Sequence, residues 1–285
     1  MVSQVHVIGA SGRSGSALCR SLLGSGSALV PVVRDAAKWA ATGIKVPARI
    51  ADITDPPRLR DALADATQIV SCAHARYAAT VLAAAPAEAR FVFLGSTRKF
   101  TRWPDAHGNG VLAGEAAFRA SGRSGVMLHP TMIYGAQGED NVQRLAALLH
   151  WLPFVPLPGG GAALVQPIHQ DDVTRAICVA LQREWEGPHA LVIAGPTPLP
   201  YADFIRAVAA VSEQRAPRIV AVSPIPLMAL ARIFCYIPFL PRVRPAEIRR
   251  LMEDKSFAVD PMIGTLGFAP MSLDEGLART FAGRS

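Results

Sequence analysis

Residues 5–8 read Val-His-Val-Ile, and the next seven, Gly9-Ala10-Ser11-Gly12-Arg13-Ser14-Gly15, set a glycine at every third position. A helical apolar pattern follows at Ala17, Leu18, Leu22 and Leu23. An apolar run that breaks at such a turn and restarts as a helix is a strand feeding a helix through a tight loop. Gly9 allows the sharp turn, Gly12 lets backbone N–H groups approach a phosphate, and Gly15 lets helix lie close on strand. The free N–H groups of a helix start attract anions. The segment therefore reads as a pyrophosphate cradle for a dinucleotide, formed by Gly9, Ser11, Gly12, Arg13, Ser14 and Gly15.

Short apolar runs at 4–8, 29–33, 48–50, 68–72, 90–94 and 125–128 alternate with helical patterns such as 14–23 and 56–64. This alternation predicts a parallel sheet with helical crossovers. Asp55-Pro56 reads as an N-cap followed by proline at the first helical position. After Tyr134 the pattern changes. It predicts a helix over 145–152, a Pro/Gly-rich loop over 153–161 and a short strand over 165–168. A helix follows from Asp171 and Asp172 to about residue 181, then a strand over 190–193. Proline-bounded helices dominate from Pro196 onward, and Ser272-x-x-Glu275 has capping-box spacing.

Composition narrows the setting. Of 285 residues, 51% are hydrophobic and 18% charged, which describes a well-buried globular chain. The net charge of +7 is spread over arginines with no aromatic-interleaved basic motif, so a solvated basic surface is expected and no nucleic-acid partner. Four scattered cysteines offer neither metal spacing nor a disulfide framework, and no secretion signal precedes the first strand. The expected location is the cytoplasm. The stretch 225–240, from Ile225 to Leu240, is mostly apolar but too short to span a bilayer, and Pro226, Arg232 and Pro238 interrupt it. A peripheral membrane contact there, with Arg232, Arg242 and Arg244 near headgroups, stays open.

Five further segments follow in order. They are Ala51-Asp52-Ile53-Thr54-Asp55, Phe93-Leu94-Gly95-Ser96-Thr97, Pro130-Thr131-Met132-Ile133-Tyr134-Gly135, Pro167-Ile168-His169-Gln170-Asp171-Asp172-Val173, and Leu266-Gly267-Phe268-x-Pro270 with Glu275-Gly276. Together with the G-x-x-G-x-x-G spacing they resemble the extended and atypical short-chain dehydrogenase/reductases, the NAD-dependent epimerase/dehydratase and NmrA-like group, over nearly the whole length. The resemblance implies an α/β fold: a Rossmann-type doubly wound parallel sheet over 1–135 and 165–195, with a smaller, mostly C-terminal substrate lobe over 136–164 and 196–285. It assigns to the cofactor Asp52, whose counterpart meets the adenine, and Ile53. Cys72 and Ala73, after the fourth strand, and Pro130 and Ile133, along the nicotinamide, join them. It makes Thr97 the strand-end catalytic hydroxyl. His129 stands where the family usually has Arg. Cys72 also reads as a small buried apolar residue, Tyr134 as a packing residue, and His169 with Asp171 as a helix cap rather than an acid/base pair.

The second strand ends Val33-Arg34-Asp35. A guanidinium there suits a 2′-phosphate, and Arg13 and Lys38 add to it, so NADP(H) is favoured over NAD(H). The alternative is that Asp35 reads the 2′-hydroxyl of NAD.

The family's chemistry rests on Tyr-x-x-x-Lys, in which the tyrosine exchanges a proton and the lysine lowers its pKa. None of Tyr77, Tyr134, Tyr201 and Tyr236 has a lysine four residues on. Matching His107-Gly108-Asn109-Gly110-Val111-Leu112-Ala113-Gly114-Glu115 to the family segment puts His107 at the Tyr position and Val111 at the Lys position. Three readings stay open. The first is an oxidoreductase acting on a small molecule, with His107 or Thr97 handling the proton and Lys99 or Arg98 supplying charge. The second is a catalytically silent cofactor-binding sensor or membrane-complex accessory protein. The third is isomerisation on a tightly held cofactor.

Overall fold

The computed structural model describes residues 4–135, 141–152, 154–226, 228 and 245–282. The elements run β1 (Val5–Ile8), α1 (Arg13–Gly24), β2 (Leu29–Val33), α2 (Ala36–Ala40), β3 (Arg49–Ile50), α3 (Pro56–Ala62), β4 (Gln68–Ser71), α4 (Ala78–Ala84), β5 (Arg90–Leu94), α5 (Ala106–Ser121) and β6 (Gly125–Pro130). Next come β7 (Ile133–Tyr134), α6 (Asn141–Trp151), β8 (Phe154–Pro158), β9 (Leu164–Val165), β10 (Ile168–His169), α7 (Gln170–Gln182) and β11 (Pro188–Ile193). The chain continues with β12 (Leu199–Pro200), α8 (Tyr201–Val211), β13 (Arg218–Val222), α9 (Pro245–Arg250), α10 (Asp260–Leu266) and α11 (Leu273–Phe281).

Seven strands pair in the order β11-β6-β5-β4-β1-β2-β3, every neighbour parallel. The strands are short and apolar on both faces because helices cover both. Alternation decides the face. Val5 and Val7 of β1, Val92 and Leu94 of β5, and Val126 and Leu128 of β6 pack with α1, α7 and α10. Ile8, Phe91, Phe93 and Met127 point the other way, to α3, α4 and α5. The chain winds outward from β1 in both directions, so the order reverses between β1 and β4. That reversal opens a crevice at the carboxyl ends of the strands, the place where such sheets bind ligands. The doubly wound parallel sheet implied by the sequence is the fold observed.

A smaller layer lies beyond this sheet. Tyr134, Val142, Phe204, Val208 and Leu277 form one of its cores, and Leu149, Leu157, Ile205 and Ala209 another. The expectations for 153–161 and for 165–168 are corrected here. Residues 153–161 are not simply a loop: Phe154–Pro158 is a strand pairing in parallel with Arg218–Val222, a second strand in a region read as helical. Three prolines mask the pattern, yet Val155, Leu157 and Ile219 alternate onto a buried face. The single strand expected at 165–168 is two short ones, β9 facing β12 and β10 facing β7. The helix at 170 begins with His169 as its cap: its Nδ1 accepts the Asp171 N–H at 3.1 Å. Asp55 and Ser272 cap α3 and α11 as their spacing predicts. Residues 227 and 229–240 of the apolar stretch fall outside the described residues.

Candidate functional site

The glycine turn is shaped by backbone contacts. Gly9 has φ +75°, a conformation that favours glycine, and a Cβ on it would lie 3.2 Å from the Ala73 nitrogen. Gly12 N–H donates to the Gly9 carbonyl at 2.9 Å and stands as the N-cap of α1, with no side chain capping the helix. A Cβ at Gly15 would stand 2.2 Å from the Gly9 carbonyl oxygen, so only glycine lets α1 lie this close to the end of β1. The first N–H groups of a twelve-residue helix thus face the crevice without a side-chain cap or an acidic residue in the first turn. Ser14 Oγ donates to Gln170 Oε1 at 3.1 Å, tying the turn to α7. Ser11 lies on the turn, and Arg13 is exposed beside it.

The neighbouring strand ends complete the rim. Arg34 is 79% exposed at the end of β2, its Nε 3.9 Å from Asp52 Oδ2. Asp52 Oδ1 accepts from the Thr54 N–H and hydroxyl at 2.9 and 2.7 Å, which hold its carboxyl below the usual range. Asp35 is committed to capping α2 through the Lys38 N–H at 3.0 Å. Ile53 packs on the core under α3. Cys72 donates its N–H to the Ile8 carbonyl, and burial pushes its thiol up, as suits a small packing residue. Gly9, Arg34, Asp52, Ile53, Cys72, Ala73 and Pro130 therefore gather at one edge of the sheet. Ile133 follows on β7.

On the other side of the crevice the charged groups are occupied with one another. His129, buried within β6, accepts the Ser96 N–H on Nδ1 at 3.2 Å. That acceptance places its proton on Nε2, which lies 3.0 Å from Glu115 Oε2. Lys99 Nζ binds the same carboxylate oxygen, and Arg119 takes the other at 2.9 Å. Burial lowers the His129 pKa to about 4, and the Lys99 charge adds to the effect, so the imidazole is neutral. Burial alone would raise the Glu115 carboxyl; its hydrogen bonds from Lys99 and Arg119 outweigh that and hold it low. Arg98 is likewise paired with Asp105, which caps α5 through the N–H groups of His107 and Gly108. Val111 is fully packed against the α4 side of the core. Tyr134 is buried too, its hydroxyl so close to Gly276 that any Cβ there would collide with it.

His107 meets His74 edge to face, ring centroids 4.3 Å apart. Burial lowers both pKa values, that of His74 to about 4. His74 Nε2 is buried without a hydrogen-bond partner. A cavity of about 310 Å³ opens past the β5 and β6 ends, lined by Thr97, Phe100, Thr131, Phe257 and Lys255 among others. Thr97 reaches it, and its hydroxyl donates to the Pro130 carbonyl at 3.2 Å. His107 is not among the lining residues. Two lining groups escape a reading of the sequence. Thr131 Oγ1 is buried and without a hydrogen-bond partner. Lys255 is clamped over the cavity by its N–H to the Leu164 carbonyl, and burial lowers its ammonium pKa. Only the tertiary fold brings residue 255 to residue 97, so no local signal marks it. Among the described residues no cluster of His, Cys, Asp or Glu suits a metal.

Residues 9–124 match the model of the NAD(P)H-binding family. No curated protein matches the chain. Among solved structures, UDP-glucuronic acid 4-epimerase from Bacillus cereus, in complex with UDP-glucuronic acid and NAD, superposes with TM-score 0.74 at 16% identity, covering 98% of each chain. Triphenylmethane reductase from Citrobacter sp. gives 0.75 at 17% identity, covering 98% of this chain and 99% of that one. An NADPH-dependent quinone oxidoreductase from Escherichia coli gives 0.74 at 17% identity, over 97% and 99%. Residues 9–124 are thus similar to the NAD(P)H-binding family, within a chain that carries the fold of these epimerases and reductases throughout.

Proposed function

We propose that the chain is an NADP(H)-dependent oxidoreductase, reductase- or epimerase-like, whose small substrate sits in the cavity beside Thr97. The observation that carries the proposal is the Gly9–Gly15 turn, where a Cβ at Gly15 would strike the Gly9 carbonyl and the uncapped start of α1 faces the crevice. Bound there, the cofactor would supply hydride. Gly9, Ser11, Gly12, Arg13, Ser14 and Gly15 would hold its pyrophosphate, Asp52 and Ile53 the adenine end, and Cys72, Ala73, Pro130 and Ile133 the path toward the nicotinamide. Preference for the 2′-phosphate is supported by the exposed Arg34 and by the engagement of Asp35 as a helix cap. At about 310 Å³ the cavity is at the small end for ligand sites, with Phe100 and Phe257 as apolar walls and Thr97, Thr131 and Lys255 as polar contacts. Thr97 is the better placed of the two proton-handling candidates, because it lines this cavity and His107 does not.

A second reading, a cofactor-binding protein without turnover, is favoured by one observation: Val111 is buried core, and Lys99 and Arg98 are each tied to a carboxylate. Under it, NADPH stays unoxidised with every carbonyl or quinone acceptor. A partner then distinguishes the NADP⁺-loaded from the NADPH-loaded protein, since a ligand shifts only states it tells apart.

Fluorescence titration of the apoprotein with NADPH and NADH tests the cofactor claim. Arg34→Ala weakens NADPH about tenfold, the loss of one charge-assisted phosphate contact, and leaves NADH unchanged. Failure of the wild-type chain to bind either nucleotide overturns both readings.

A further inference from the structure

Away from the crevice, one surface of the smaller layer carries large apolar side chains in the open. α6 ends in Trp151, 79% exposed, with Leu148 nearly one turn back and Leu152 after it. The β8–β13 ribbon turns Val155, Leu157 and Ile219 inward. Its outer face therefore holds the alternate residues, with Phe154 opposite Arg218 and Val220 opposite Pro156. Ile225, 73% exposed, stands just past the ribbon's end.

Charge on the same segments is one-sided. Residues 141–170 and 214–226 contain no Asp or Glu, yet carry Arg144, Arg215 and Arg218. Arg144, Arg215 and Arg218 are exposed among the described residues. The groove beside Trp151 has a single acid, Glu213, among its lining residues. A basic face with so few acids, studded with Trp, Phe and Ile, is unusual for water, where large apolar side chains normally stand singly.

We propose that this face docks on the surface of an anionic lipid bilayer. Trp151, Phe154 and Ile225 would sit at the headgroup–acyl boundary and Arg144, Arg215 and Arg218 over the headgroups. A lipid surface offers negative charge and apolar depth together, over a broad area and without a shaped counterpart, which is what this face asks for. Among the described residues no helix is long and apolar enough to cross a membrane, and the contact proposed is a peripheral one. The inference is independent of the cofactor reading.

The test is co-sedimentation of the full chain with vesicles. The chain binds phosphatidylglycerol-containing vesicles, binds pure phosphatidylcholine vesicles more weakly, and is released by salt. The double variant Trp151→Ser/Phe154→Ser binds about tenfold more weakly, as expected for withdrawing two aromatic side chains from the interface. Both positions are exposed, so the unfolding transition of the variant stays that of the wild type. Four results overturn the proposal: no vesicle binding, equal binding to both lipids, binding that the double variant leaves intact, or a dimer in ultracentrifugation that the double variant dissolves. The last would assign the face to a second copy of the chain.

Discussion

The two sides of the crevice are built on opposite plans. Around β1 and α1 the site is backbone: a glycine at positive φ, a helix start with no cap and a carbonyl within 2.2 Å of where a Cβ would go. Around β5, α5 and β6 it is side chains, and most of the charged ones already hold each other: Lys99 and Arg119 on Glu115, His129 beneath them, Arg98 on Asp105. The first plan leaves donors free for a ligand. The second spends most of its donors on structure, so under the proposed function the chemistry falls to groups at the cavity such as Thr97, Thr131 and Lys255. Under the proposed function binding and reaction are thus separable, and substitutions on the two sides should fail in different ways.

The sharpest break is Gly15→Val. Gly15 lies inside α1, so the loss is steric: a side chain collides with the Gly9 carbonyl and levers the helix off the strand. Binding of NADPH falls more than about 100-fold, because the helix N–H groups no longer point into the crevice. Gly24→Ala at the far end of the same helix is the control, since nothing lies within 4 Å of a Cβ there. If Gly15→Val binds like wild type, the turn is not the cradle.

Glu115→Gln strikes the other side. It leaves Lys99, whose side chain is only 10% exposed, without its anion. Unfolding by denaturant should show a loss of about 3 kcal/mol, the usual cost of stranding a buried charge. Adding Lys99→Met removes the stranded charge and recovers part of that loss. NADPH affinity stays that of wild type in both variants. A fall in affinity matching the fall in stability would mean that the two plans are one.

This difference also explains what could be read from the sequence. The backbone site is local: the glycines, the strand before them and the helix after them lie within some twenty residues, so their spacing alone shows the turn. The same holds for Asp55 and Ser272, caps whose partners are three residues away. Arg34 and Asp35 were legible only as rivals. The fold adds only that Asp35 accepts the Lys38 N–H, a contact no local pattern separates from a role at the cofactor. The side-chain network was out of reach, because Lys99, Glu115 and His129 come from three separate elements and meet only once the sheet is closed. The β8–β13 ribbon was hidden for a related reason. Its strands are 64 residues apart at the paired Phe154 and Arg218, and prolines in β8 imitate a loop.

The gentlest probe of the locked side is pH. His129 is neutral when folded, its pKa lowered to about 4 by burial and by Lys99, against an ordinary value of 6.5. Between those two values the unfolded chain takes up a proton that the folded chain refuses. Stability is therefore fully present above about pH 6.5 and falls as pH drops toward 4. His129→Asn keeps an acceptor near the Ser96 N–H and removes the titration. The slope of stability against pH should lessen in that window, by at most about 1.4 kcal/mol per pH unit. Denaturant melts at several pH values measure it. His6, His74, His107 and His169 are also held below their ordinary value and account for the slope that stays. An unchanged slope in His129→Asn would show that the refused proton belongs to those four and that the network is no more acid-sensitive than the cradle across from it.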